Sequence, residues 1–253
     1  MRGNQFFKRV LFYISVPKCV LCKEKLDIED RGLCKSCMVK YEQHKERNCP
    51  YCAKRLSECF CSYKELKNHG IKNLAKVFRY SKAEQSMPSN YLIYSLKQDN
   101  RSDVLSLLSE ELSCAILRSV DISSGRFIVT NVPRRRDAIV KFGYDHSEAL
   151  ARSVAKTLGL EYVRILKSKS KKAQKSVYGK IERVRNAKFD YKCPENLSLK
   201  GKTVILIDDI VTTGASLCNC ATLIRALRPK RIVAACLGTA YKESYIDFKH
   251  SYK

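Results

Sequence analysis

Eight of the thirteen cysteines in this 253-residue chain fall between positions 19 and 61, in pairs at short fixed spacings. Cys19-x-x-Cys22 and Cys34-x-x-Cys37 each put two thiolates on one tight turn, and the eleven residues between the pairs suffice for a short hairpin closing a tetrahedral S4 site. Cys49-x-x-Cys52 and Cys59-x-Cys61 form a second set of four, its Cys-x-Cys half being the less usual geometry. Residues 1–70 otherwise hold few long apolar runs, so the expectation is two structural Zn2+ ions acting as staples. The same module also suits a ribbon that grips nucleic acid or a protein partner. Four sulfur ligands leave no open position for a catalytic metal. An odd cysteine total excludes complete pairing, and the one apolar N-terminal run, residues 10–16, is too short to span a bilayer and lacks a cleavage site. The reading is a cytoplasmic protein with no transmembrane segment, whose clustered thiols bind metal rather than each other.

Composition narrows the partners more than the fold. With 45% hydrophobic and 29% charged residues, global disorder and low-complexity classes are excluded. Forty-nine Lys and Arg against twenty-five Asp and Glu leave +24, which favours phosphate-bearing ligands or nucleic acid. Two Zn2+ contribute four positive charges and eight thiolates eight negative ones, which brings this to about +20.

The pattern changes near position 70, dividing the chain into residues 1–70 (N-terminal segment and double zinc ribbon) and residues 71–253. Beyond it, β-branched runs at 77–80, 127–132, 162–166, 203–207 and 231–237 predict strands. Apolar residues at three and four spacings predict helices within 92–96, 104–117, 147–158 and 215–227. Strands separated by such helices imply right-handed crossovers and a mostly parallel α/β sheet. Residues 164–188 break the rhythm: ten Lys or Arg against Glu182 alone give +9 in 25 residues, which predicts a mobile loop or exposed ribbon. Residues 6–16, aromatic and apolar, are expected to pack on the core, with a membrane-associated partner as the alternative. Cys114, Cys193, Cys218, Cys220 and Cys236 lack ligand spacing and read as ordinary buried thiols, with Cys218 and Cys220 on different sides of a helix.

The stretch Val204-Ile-Leu-Ile-Asp208-Asp209-Ile-Val-Thr212-Thr213-Gly214-Ala215-Ser216 is the most informative about chemistry. A buried strand ends in two carboxylates, and a small-residue loop then opens a helix. Ligands of open α/β sheets bind outside the carboxyl ends of strands. The loop hydroxyls, backbone N–H groups and following helix N-terminus suit a phosphate. Two acids beside a phosphate cradle suit instead the vicinal hydroxyls of a ribose carrying a 5-phosphate.

These residues resemble the phosphoribosyl pyrophosphate signature of type I phosphoribosyltransferases, and the rest of the chain narrows the resemblance to the ComF family. Further stretches fit it: Val132-Pro133-Arg134-Arg135-Arg136 with Gly143-Tyr144-Asp145-His146; Gln174 with Arg183 and Asn186 ahead of Phe189; and Tyr91-Leu-Ile-Tyr-Ser-Leu-Lys97. The resemblance implies a type I phosphoribosyltransferase-like, mostly parallel sheet with helices on both faces, plus an N-terminal zinc ribbon. It makes Asp208 and Asp209 the ribose 2- and 3-hydroxyl ligands and Thr212, Thr213, Gly214, Ala215 and Ser216 the 5-phosphate loop. Arg134 and Arg135 would neutralise the pyrophosphate with Mg2+. Residues 164–188 become a hood over the site. Purine-salvage relatives place a carboxylate where this chain has Thr212, which weighs against a hypoxanthine or guanine transferase. His146 reads as a helix-start hydrogen-bonding residue, and no catalytic residue is assigned.

Three functions compete. The family resemblance implies handling of single-stranded DNA in natural competence, with phosphoribosyl pyrophosphate bound and competence-machinery proteins as partners; Lys169, Lys171, Lys172 and Lys175 of the hood are the candidate DNA contacts. Tyr162, Tyr178, Phe189 and Tyr191 interleave the basic segment and suit either base stacking or strand-face packing. The alternative is an active transferase moving phosphoribosyl onto an unidentified nucleophile. A metabolite-binding regulator signalling through the ribbon is the third reading.

Overall fold

Long β-branched runs that bury both of their faces require cover on both sides, and the chain meets that demand with a five-stranded, wholly parallel sheet. The computed structural model describes residues 16–49, 52–81, 86–134, 136–168, 189–191 and 198–240. In chain order the elements are α1 (Lys35–Lys45), a 3₁₀ turn (Leu56–Glu58), α2 (Lys64–Asn68), β1 (Leu74–Arg79), α3 (Pro88–Gln98), α4 (Ser102–Ser119), β2 (Arg126–Asn131), α5 (Arg136–Phe142), α6 (His146–Leu158), β3 (Glu161–Tyr162), β4 (Leu166–Ser168), β5 (Phe189–Tyr191), β6 (Lys202–Val211), α7 (Ala215–Arg225) and β7 (Arg231–Thr239). The sheet order is β1-β7-β6-β2-β3, and β4 pairs antiparallel with β5 as a separate ribbon.

Alternation assigns each side chain to a face. Val129, Ile205, Ile207, Val233, Ala235 and Leu237 meet apolar residues of α3, α4 and α6. Ile128, Val204, Leu206, Ala234 and Cys236 meet Leu66 of α2 and Leu217, Ala221 and Ile224 of α7. Each fully buried aliphatic side chain contributes about 1.5–3 kcal/mol of transfer free energy. Local signals agree with the packing. Pro88 opens α3. Asp145 caps α6, accepting from the N–H groups of Ser147 and Glu148, and Gly159 closes it at φ +67°.

The cysteine segment wraps the β1 edge. Val20, Leu26, Leu33 and Tyr41 join the core on the α4 face, and the Tyr41 ring meets Phe78 edge-on at 6.2 Å. Polar links reinforce this side: Lys45 pairs with Glu111 at 2.6 Å, the Gly32 N–H donates to Asp103 at 2.9 Å, and Arg101 donates to the Lys18 carbonyl at 2.6 Å. The segment after Cys61 runs over the opposite face, where Tyr63 and Leu66 are buried.

The structure departs from the sequence reading in three places. The single strand expected over 162–166 is two: β3 stops at Tyr162, and Ile165 and Leu166 are both buried in one cluster, which a flat alternating strand does not allow. β6 does not end at its acids; its ladder with β7 continues through Asp208, Ile210 and Val211. Cys114 is exposed on α4 rather than buried. Cys218, Cys220 and Cys236 are buried. Cys218 and Cys220 face different sides, Cys218 toward Glu65 of α2 and Cys220 toward Asp208 of β6, and both join one buried cluster. Lys169, Lys171, Lys172, Lys175, Gln174, Tyr178, Arg183, Asn186, Cys193, Arg135 and residues 6–15 lie outside the described residues. Among the described residues, no helix is long and apolar enough to cross a membrane.

Candidate functional site

The sheet's connectivity selects one position for a site. From β2 the chain crosses through α6 outward to β3, and from β6 through α7 in the other direction to β7. The carboxyl ends of β2 and β6 therefore flank the point where the strand order reverses, the crevice in which ligands of open α/β sheets bind. Val132 to Arg134 leaves one end, and Asp208 to Ser216 forms the other.

Pleating gives the two acids different surroundings. Asp209 turns toward α3 and α6, where Oδ2 receives the Lys97 ammonium at 2.7 Å and His146 Nε2 at 2.8 Å. Its Oδ1 accepts the Ile210 N–H at 2.6 Å. Burial alone would raise this carboxyl, but His146 and Lys97 more than offset it and hold Asp209 well below the usual carboxylate range. Asp208 lies toward Cys220 and Cys236 and accepts the Asp209 N–H at 2.9 Å. Burial, then the neighbouring Asp209 charge, pushes its carboxyl well up. The two neighbouring acids are thus pushed in opposite directions by their surroundings.

Two stretches singled out in the sequence converge on Asp209. Tyr91 to Lys97 lies in α3 and delivers Lys97. Gly143 to His146 leads into α6: Tyr144 donates its phenol to the Leu96 carbonyl and accepts the Asn100 N–H at 3.3 Å, Asp145 caps the helix, and His146 reaches Asp209. The Ser147 hydroxyl donates to the Val132 carbonyl at 3.0 Å, tying α6 to the end of β2. His146 is thus the helix-start hydrogen-bonding residue expected, but its partner is the site carboxylate. The sequence assigns Lys97 no role, although a lone cation closing an aromatic-aliphatic run is the available signal.

Arg134 holds the rim of the crevice. Its guanidinium lies 4.9 Å from the Phe142 ring centroid, its backbone N–H donates to Asp145, and its buried Nη1 has no hydrogen-bond partner among the described residues. Gly214, at φ +79°, caps α7, and the Ala215 N–H lies 3.4 Å from the Thr213 hydroxyl. Thr212 is exposed, and Thr213, Ala215 and Ser216 are half-buried, so hydroxyls and amides remain accessible to an anion. Tyr162 does not present a bare face: its hydroxyl donates to Asn131 at 2.7 Å, and Arg152 stacks on its ring at 4.3 Å.

The cysteines assemble as two sets, Cys19, Cys22, Cys34 and Cys37 and then Cys49, Cys52, Cys59 and Cys61, each with its sulfurs within 4.8 Å of one another. Cys22 and Cys34 Sγ lie 3.6 Å apart, against about 3.8 Å for the edge of a tetrahedron with Zn–S bonds of 2.3 Å. Both sets begin with the same turn. The Lys23 N–H donates to the Cys19 carbonyl at 3.0 Å with Lys23 at φ +67°, and the Ala53 N–H donates to the Cys49 carbonyl at 3.0 Å with Ala53 at φ +56°. An all-thiolate donor set in this geometry fits a structural metal of zinc's kind.

Residues 144–252 match the Phosphoribosyl transferase domain family. The chain is 26% identical over 219 residues to the Competence protein ComFC of Streptococcus pneumoniae, covering 79% of this chain and 90% of that protein. It is 25% identical over 219 residues to the DNA utilization protein YhgH of Escherichia coli, covering 83% and 92%. A shorter similarity, 29% over 97 residues, covers 38% of this chain and 29% of the Ribose-phosphate pyrophosphokinase of Thermococcus kodakarensis.

Proposed function

We propose, from the premise that this chain is a ComF-like family member with a type I phosphoribosyltransferase-like domain and N-terminal zinc-binding cysteine sets, that the end of β6 binds phosphoribosyl pyrophosphate with Mg2+. In this reading Asp208 takes the ribose hydroxyls. Asp209, fixed by Lys97 and His146, is held at the sugar side. Thr212, Thr213, Gly214, Ala215 and Ser216 receive the 5-phosphate through hydroxyls and amides. Arg134, with its unsatisfied Nη1, takes the pyrophosphate, and Arg135 is the second cation proposed for it. Mg2+, bound with the ligand, neutralises pyrophosphate charge beside the acids. Each cysteine set holds one structural Zn2+.

The observation that carries the proposal is the convergence of α3, α6 and β6 on one charged crevice: Lys97, His146 and the Asp208-Asp209 pair meet beside the Gly214 loop. Single-stranded DNA is the proposed second ligand, and DNA uptake in natural competence the proposed role. The +24 charge and the hood lysines Lys169, Lys171, Lys172 and Lys175 support it, as do relatives named for competence and DNA utilization.

Incubating the protein with phosphoribosyl pyrophosphate and Mg2+, with and without nucleobases, while following bound ligand and released pyrophosphate, tests the reading. Binding without release is the expected result. Release that depends on an added nucleophile makes the protein a transferase, and neither binding nor release overturns the sugar-phosphate site.

A further inference from the structure

We infer that the second cysteine set is mechanically part of the strand-end site: Tyr63 and Leu66, on the chain leaving Cys61, position the loop 212–216, so metal binding at one is linked to ligand binding at the other. The linkage rests on the sugar-phosphate reading above; the positioning does not.

The connection is short, and Ser62, Tyr63 and Leu66 along it are buried. Two residues after Cys61, the Tyr63 phenol reaches the carbonyls of Val211 and Ala240 at 3.1 and 3.0 Å. Val211 ends β6 two residues beyond Asp209, and its carbonyl also accepts the Ala240 N–H at 2.9 Å. Tyr63 therefore ties together the ends of β6 and β7 where the loop departs. Three residues on, Leu66 is fully buried on α2 and lies directly against Gly214: a Cβ there would sit 3.1 Å from Leu66 Cγ. At φ +79° the backbone already requires glycine, and Leu66 sets how deep the loop can lie. The α2 segment is pinned in turn, with the Ile71 N–H donating to the Leu66 carbonyl at 2.8 Å and Arg225 of α7 donating to the His69 carbonyl.

At its other end the segment is held by the cysteine set and by Lys76. This β1 lysine is 2% exposed and donates to the Cys61 carbonyl at 2.7 Å. Four thiolates around a divalent metal carry a net charge of about −2, which a neighbouring buried ammonium offsets. Loading the set thus fixes Cys61, and Cys61 fixes Tyr63 and Leu66. The first set is fastened elsewhere, to Glu110, Glu111 and Asp103 on α4 and, through His44, to Ser89 on α3.

Hydrogen exchange at amides 212–218, zinc content and phosphoribosyl pyrophosphate affinity in Mg2+ together test this. Tyr63→Phe keeps all eight cysteines and removes only the phenol. It should retain two zinc ions, speed exchange at 212–218 about fivefold or more, and weaken the ligand comparably. In the wild type, zinc loading of the second set and ligand binding should strengthen each other by the same factor, a reciprocity that a merely structural role does not produce. Cys59→Ser with Cys61→Ser should reproduce the loop effect; if that variant does not fold, Tyr63→Phe and Leu66→Ala still decide. Unchanged loop exchange in Tyr63→Phe and Leu66→Ala overturns the positioning. Equal ligand affinity with the second set loaded and stripped overturns the linkage. A wild type that binds no phosphoribosyl pyrophosphate while its loop still responds to Tyr63→Phe leaves the positioning standing and removes the sugar-phosphate reading.

Discussion

The two cysteine sets begin with the same turn and use the same donor atoms, yet they are attached to the sheet differently. Cys19 and Cys37 are buried within the main core beside Tyr41, Leu33 and the helices of one face. Cys49 and Cys59 belong to a small cluster of their own with Leu56. The first set is fastened on its outer side by ion pairs to α4, Arg31 to Glu110 among them. From the second, the chain leads directly under the loop that follows Asp208 and Asp209. A metal knuckle is a local solution to a small segment's lack of core, and what it does beyond that depends on where its exit strand goes.

The largest expected difference is in stability. Cys19→Ser with Cys37→Ser should abolish the cooperative thermal transition, a loss on the order of 5 kcal/mol or more, because metal binding energy there is folding energy of the main core. Cys59→Ser with Cys61→Ser should lower the midpoint while a cooperative transition survives. Melts followed by circular dichroism that reverse this order would break the comparison.

Leucines sharpen it next. Leu26, in the core cluster that holds the first set, and Leu66, on the segment leaving the second, are both buried, and replacing either by Ala should cost about 2–5 kcal/mol. Only Leu66→Ala should also weaken phosphoribosyl pyrophosphate binding. Equal effects of the two on affinity would mean that the loop responds to global stability and not to its neighbour.

The acids divide along the same two faces. Asp209 is held below the ordinary carboxylate range, so its contribution is present above a pH of about 4 and is lost as pH falls through its folded value. Asp208 is raised, so folding takes up a proton and stability falls as pH rises from about 4 to its folded value. At pH 7, Asp209→Asn should destabilise and Asp208→Asn should stabilise, each on the order of 1 kcal/mol. Melts at pH 5 and 7 check the signs, and the same sign for both would show that the two carboxyls share one environment.

The smallest effect belongs to the basic segment 164–188. Replacing Lys169, Lys171, Lys172 and Lys175 by Ala should leave the melting temperature nearly unchanged. It should flatten the salt dependence of single-stranded DNA binding by roughly two to three units of about 0.7 each on the logarithmic scale. An unchanged slope, with DNA binding lost only when the cysteine sets are altered, would move the nucleic-acid contact to the ribbon.

Much of this architecture was legible locally. The runs at 203–207 and 231–237 are too short and β-branched for helices, and both became central strands. The ligand spacings of all eight cysteines led to two closed sets, including the unusual Cys59-x-Cys61 half. Local signals failed where the cause was distant. Two acids look like the end of a strand, but Asp208 and Asp209 stay in β6 because β7 continues beside them. Lys97 and His146 are unremarkable in their own segments; only the folding of α3 and α6 onto one sheet face gives them Asp209 as a common partner. Tyr63 and Val211 are 148 positions apart, and no periodicity reports such a contact.

Titration calorimetry of phosphoribosyl pyrophosphate with Mg2+ into the wild type and into Asp208→Asn with Asp209→Asn tests the central claim most directly. One site in the wild type and no measurable binding in the double variant, with loop exchange at 212–216 preserved, is the predicted result. The same affinity in both proteins would contradict the account and return the two acids to a structural role.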